Sequence, residues 1–127
     1  MHIKRVLVVD DEKEWRDNVS STLTELGFEP TVFDGFQEAE RAILKDEFPY
    51  DLIVTDNRMG DIRDAGLTLA STARLMGIDV PIIIYSSDLT YEQQARATAM
   101  KAVYVQKSSQ PLNSFDRVIR DLFKNPA

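Results

Sequence analysis

Three runs of this chain are apolar without interruption: Val6-Leu7-Val8-Val9, Leu52-Ile53-Val54 and Ile82-Ile83-Ile84. Neighbouring side chains of a strand point to opposite faces, so a strand with one wet face alternates apolar and polar residues. A run that does not alternate needs cover on both faces, which a parallel sheet with helices on either side supplies. The intervening segments have the pattern of such helices. Residues 14–26 place Trp15, Val19, Thr22, Leu23 and Leu26 on one helical face, and Gly27 follows as a stop. Residues 28–33 read as a second strand, and Pro30 assigns it to an edge because proline cannot donate to a ladder. Asp34 then reads as the cap of a helix through Ala39, Ala42, Ile43 and Leu44, with Gln37 placed to reach back.

Phe48-Pro49-Tyr50 ends that helix and leads into the run that finishes at Asp56. An irregular loop over 57–65 precedes a helix over 66–76, stopped by Gly77. After the strand at 81–85, Thr90 and Gln93 have capping-box spacing for a helix over 91–100. Val103-Tyr104-Val105 is a short fifth strand, and a last helix opens near Pro111 and buries Leu112, Phe115, Ile119, Leu122 and Phe123. Strands and helices alternating in this way predict a doubly wound α/β fold as a single domain over 1–127. The absence of cysteine excludes disulfides, thiolate nucleophiles and zinc–thiolate sites. A net charge of -6 disfavours direct nucleic-acid contact. The apolar run before Asp10 is too short for a signal segment or a membrane span, so a cytoplasmic protein without membrane contact is expected.

Polar clusters fall at the carboxyl ends of four of these strands: Asp10-Asp11, Asp56, Ser86 and Lys107. A parallel sheet puts those ends on one edge, where ligands collect at the point of winding reversal. If the first and third strands are neighbours there, three carboxylates converge, and a hard divalent cation such as Mg2+ relieves their repulsion. Asp56 then keeps an oxygen free as a nucleophile that can take a phosphoryl group as an acyl phosphate. Lys107 supplies a positive charge for the phosphoryl oxygens, Ser86 a hydroxyl donor, and backbone N–H groups after Asp56 could supply more. Each residue alone has an ordinary reading: helix-terminal charge for Asp10-Asp11, a turn for Asp56, a cap for Ser86, a solvated lysine for Lys107. Those readings do not explain the set. Trp15 and Tyr104 fit their local periodicity as core or rim aromatics, Arg96 and Lys101 read as solvating a helix, and the single His2 has no partner for a metal pair.

On these residues the chain resembles the receiver domain of two-component response regulators. The likeness covers essentially the whole chain, through Val6-Leu7-Val8-Val9-Asp10-Asp11-Glu12, Asp51-Leu52-Ile53-Val54-Thr55-Asp56, Pro81-Ile82-Ile83-Ile84-Tyr85-Ser86 and Tyr104-Val105-Gln106-Lys107. The resemblance implies a flavodoxin-like, five-stranded parallel sheet of order 2-1-3-4-5 with five helices. It implies that Asp56 is phosphorylated from a sensor histidine kinase or a phosphotransfer protein. Mg2+ would be bound by Asp11 directly, by Asp10 mainly through water, by Asp56, and by the backbone carbonyl of Arg58. Ser86 and Tyr104 would form a switch, changing how the surface of the fourth helix, fifth strand and fifth helix meets a downstream effector protein or fused output domain. A phosphorylation-dependent homodimer is left open. Such a module is no enzyme in the usual sense, catalysing only its own phosphoryl transfer and dephosphorylation.

Departures from the family pattern are Gly60 where proline is usual, a loop before Gly66 about two residues longer, Ser87 after the switch hydroxyl, and Met100-Lys101 for a Gly-Ala pair. Ser108 replaces a proline often preceded by a cis bond, and since a non-proline cis bond costs about 3 kcal/mol, Lys107-Ser108 is expected trans. Arg58 and Asp88 flank the site and are expected to set water access. The alternative function is a receiver-like interaction module independent of phosphorylation. A flavodoxin-like carrier would want a phosphate-cradling loop where this chain has acids, and an aspartyl-phosphate hydrolase a second acid where it has Arg58.

Overall fold

The structure of the protein is a computed structural model that describes residues 4–87, 90–107 and 113–123, with side chains of the last helix from Asp116 onward. The elements follow one another as β1 (Arg5–Val9), α1 (Lys13–Glu25), β2 (Glu29–Phe33), α2 (Phe36–Leu44), β3 (Leu52–Asp56), α3 (Ala65–Leu75), β4 (Ile82–Ser86), α4 (Tyr91–Ala99), β5 (Ala102–Gln106) and α5 (Asn113–Leu122). The strands form one sheet in the order β2-β1-β3-β4-β5, every pairing parallel. The winding reverses between β1 and β3, as the fold class requires, and β2 with its Pro30 lies at an edge.

The uninterrupted runs divide by the strand period. Leu7, Val9, Ile53, Ile82 and Ile84 face one apolar layer with Ala39, Ile43, Leu67, Leu69 and Ala97 from α2, α3 and α4. Val6, Val8, Leu52, Val54, Ile83 and Tyr85 face the other, with Val19 and Leu23 of α1 and Ile119 of α5. Every residue of β3 and β4 is buried. Each strand thus feeds two cores at once, which is why the sequence could not alternate.

The Thr90–Gln93 capping box forms with both of its hydrogen bonds. The expected Asp34 cap does not: Gly35 takes the extended cap conformation, α2 opens one residue later at Phe36, and no side chain caps it. Leu44, in the last turn of α2, is exposed. At the departure Met100-Lys101, Lys101 adopts φ 57, a left-handed conformation that costs a side-chain-bearing residue about 1–2 kcal/mol. Arg74 braces that turn, donating to the carbonyls of Met100 (2.8 Å) and Lys101 (3.2 Å) and, on its other side, of Ile78 and Val80. The expectations for His2, Asp88, Pro111, Leu112, Phe115 and the Lys107-Ser108 bond lie outside the described residues or side chains. Among the described residues no helix is long and apolar enough to cross a membrane.

Candidate functional site

The carboxyl edge of the sheet brings the acids of β1 and β3 to the lysine after β5. Lys107 Nζ stands 3.2 Å from Asp56 Oδ2, 3.5 Å from Asp10 Oδ2 and 3.4 Å from Glu12 Oε1. Its own backbone N–H donates to the Ser86 carbonyl at 2.8 Å, so the β4–β5 ladder sets where this side chain starts. One carboxylate oxygen from each of Asp10, Asp11, Glu12 and Asp56 lies within 4.8 Å of the others. Four hard oxygen donors at that spacing, two of them buried, suit Mg2+ far better than a soft or imidazole-seeking metal. A cavity of about 390 Å3 opens over them, walled by Arg58, Gly60, Ser86 and Ser87.

The three aspartates are held differently. Asp10 is wholly buried, with Oδ1 accepting from the Glu12 N–H at 2.8 Å and Oδ2 from the Tyr85 hydroxyl at 2.6 Å. Asp11 is exposed and accepts from the Gly60 N–H at 2.8 Å. Gly60 sits at φ +56, so the residue standing in place of a proline supplies both a left-handed turn and a donor that proline lacks. Asp56 ends β3 almost fully buried, and the Arg58 N–H approaches its Oδ1 at 3.4 Å. Burial, together with the Asp10 charge, pushes the Asp56 carboxyl up to about 7, with Lys107 opposing. Burial likewise raises Asp10, partly offset by the Tyr85 and Glu12 hydrogen bonds. Burial would lower Lys107, but the charges of Asp56 and Asp10 outweigh it and hold the ammonium above its ordinary value.

Behind Asp56 the structure leaves no spare room. A Cβ on Gly66 would lie 2.7 Å from the Asp56 carbonyl oxygen, so α3 starts against β3 as only glycine allows. Asn57 ties that junction, its carbonyl accepting from the Gly66 N–H and its Oδ1 from the Leu67 N–H. The loop after it is anchored by Asp64, at φ 54, which accepts from Asn57 Nδ2 (3.1 Å), Gln93 Nε2 (3.2 Å) and Arg96 Nη1 (3.0 Å). Burial disfavours the charged carboxylate of Asp64, but these donors prevail and lower its pKa. Arg96 therefore pairs with the loop and does not merely solvate α4.

Of the residues expected at the site, Asp10, Asp11, Asp56, Ser86 and Lys107 come together at one edge. Arg58 borders them with its side chain exposed, and Tyr104 lies one strand away, half-buried against the apolar layer on the α4 side. Sequence reasoning passed over Glu12 as a donor, and it assigned Trp15 to the core or rim. Both reach Lys107, Trp15 with its ring centroid 4.9 Å from Nζ. Tyr85 was also missed, although a phenol within a doubly buried strand must find a polar partner, and that was the available signal.

A family model described as the response regulator receiver domain matches residues 6–118. The chain belongs to this family. Among solved structures, the response regulator TrrA of Thermotoga maritima, in complex with Mg2+-BeF, is 28% identical over 95% of this chain and 100% of its own, with a TM-score of 0.78. The receiver domain of a histidine kinase from Arabidopsis thaliana, complexed with Mg2+ and BeF3-, is 26% identical over 96% of this chain and 91% of its own, at a TM-score of 0.72. The non-phosphorylated HemR receiver domain of Leptospira biflexa, 19% identical, covers 98% of this chain and 97% of its own and shows the same fold at a TM-score of 0.82. No curated protein sequence matches this receiver chain.

Proposed function

We propose that this receiver is a phosphoacceptor, and that Asp56 takes a phosphoryl group from a histidine kinase or phosphotransfer protein. The observation that carries this reading is the buried Asp56 carboxylate at the sheet edge, 3.2 Å from Lys107 and within reach of three further acids. A carboxylate oxygen of Asp56 attacks phosphorus, the bond from phosphorus to the donor's nitrogen or oxygen breaks, and an acyl phosphate forms. Lys107 and the Ser86 hydroxyl bind the phosphoryl oxygens. Asp10, Asp11, Glu12 and Asp56, with the Arg58 carbonyl, would hold Mg2+, which when bound neutralises the oxygens of the transferring group.

The phosphoryl group then biases the fold. Ser86 and Tyr104 lie on adjacent strands, with Tyr104 paired to Ile84 and Ser86 to Gln106. Drawing the Ser86 hydroxyl towards phosphate frees space for Tyr104, and the face of α4, β5 and α5 changes its affinity for an effector protein or output domain. The test uses the full chain with Mg2+ and acetyl phosphate, read by mass. Wild type gains one phosphoryl group and Asp56→Asn gains none. No gain by wild type, and no spectral response to beryllofluoride, would replace this reading with that of an interaction module that binds partners without phosphorylation.

A further inference from the structure

We propose that Trp15 and Tyr85 are positioning residues for this chemistry, their rings forming a cage that holds the Lys107 ammonium at the acceptor. Lys107 Nζ lies 4.9 Å from the Trp15 ring centroid and 5.0 Å from that of Tyr85, and the two rings stand 6.1 Å apart at 41°. The lysine side chain is only 5% exposed, although it follows the last residue of a strand at the rim of the sheet. Its carboxylate partners do not fix it alone. Their distances, 3.2, 3.4 and 3.5 Å, all exceed the roughly 2.7–2.9 Å of a strong charge-assisted hydrogen bond.

A lysine stem turns freely at each carbon, so a point charge at its end needs walls as well as counter-charges. The rings provide walls whose faces are themselves negative. Each ring is anchored independently of the lysine. Tyr85 is buried in β4 with its hydroxyl on Asp10 Oδ2, and Trp15 rides on the first turns of α1 beside the same apolar layer. An ammonium held this way can exchange a carboxylate oxygen for a phosphoryl oxygen without leaving its neighbours. The inference rests on Asp56 being the phosphoacceptor, but the cage itself is measurable without any phosphoryl donor.

The chain contains a single tryptophan, so growth on mono-, di- and trifluorotryptophan modifies this site alone. Fluorine draws electron density from the ring face with little change in shape and weakens cation–π attraction stepwise. The rate of phosphorylation by acetyl phosphate with Mg2+ is expected to fall with each fluorine, roughly tenfold in all. The melting temperature is expected to stay nearly level. Trp15→Phe should keep most of the rate and Trp15→Leu should not. A flat fluorine series, or equal rates in the Phe and Leu variants, overturns the proposal. In the unphosphorylated protein the Lys107 ε-methylene protons should resonate upfield under the ring currents. Ordinary shifts there overturn the cage, whereas upfield shifts in a wild type that takes no phosphoryl group support the cage and defeat the phosphoacceptor reading.

Discussion

Asp56→Asn should stabilise the fold, and should do so more as the pH rises. Burial and the Asp10 charge lift the Asp56 carboxyl from 3.8 to about 7. Above pH 3.8 the unfolded chain has released this proton while the folded chain still holds it, so folding takes up a proton and stability falls as pH increases. The loss levels off once the pH passes about 7, where both states are ionised. A shift of about three units, at about 1.4 kcal/mol each, gives a ceiling of about 4 kcal/mol. Asparagine keeps the shape and removes the charge, while Lys107 retains Asp10 and Glu12 as partners. Urea unfolding of both proteins in the absence of Mg2+, from about pH 5 to about pH 8, should therefore show their unfolding free energies diverging by about 2–4 kcal/mol. Added Mg2+ should narrow the gap by stabilising wild type alone. Parallel stability curves would refute the reasoning, because they would mean that the folded site carries the Asp56 charge at no cost.

Gly66→Ala should destabilise by about 1–3 kcal/mol in urea unfolding despite alanine's better helix propensity, because its Cβ would meet the Asp56 carbonyl at 2.7 Å. Gly60→Ala should cost about 1 kcal/mol for the left-handed φ, and Gly60→Pro clearly more, since proline cannot reach φ +56 and removes the N–H that Asp11 accepts. Equal costs for the two would show that this N–H does not hold the loop. Asp64→Ala should lose about 2 kcal/mol as Asn57, Gln93 and Arg96 lose their shared acceptor, and amide exchange in the first turn of α4 should quicken with it.

The fold was legible because the runs at 6–9, 52–54 and 82–84 could be satisfied in only one kind of sheet, and because Thr90 and Gln93 carry a local rule that tertiary structure had no reason to override. Asp34 carried the same kind of rule and failed it: α2 opens one residue later, with Gly35 in the extended cap position and no side chain capping the helix. Asp10, Asp11, Asp56 and Lys107 were legible because each lies at or just past the end of an apolar strand, whereas Glu12 is one more acid in a run with nothing to single it out. What escaped was the part fixed only in three dimensions. Trp15 and Tyr85 have the pattern of core residues, and nothing in their spacing says that a lysine some 20 to 90 positions away ends between them. Asp64 and Arg96 meet across 32 positions through a loop with no periodicity to read.

The parallel sheet also orders the site in time. Synthesis delivers the acids of β1 first and Asp56 next, while Lys107, after β5, is the last of these charges to arrive. A nascent chain that docks β3 on β1 early must bring Asp10 against Asp56 with no ammonium between them. That encounter is disfavoured while both carboxyls are ionised, and the repulsion is relieved when β5 joins and Lys107 reaches Asp10 and Asp56.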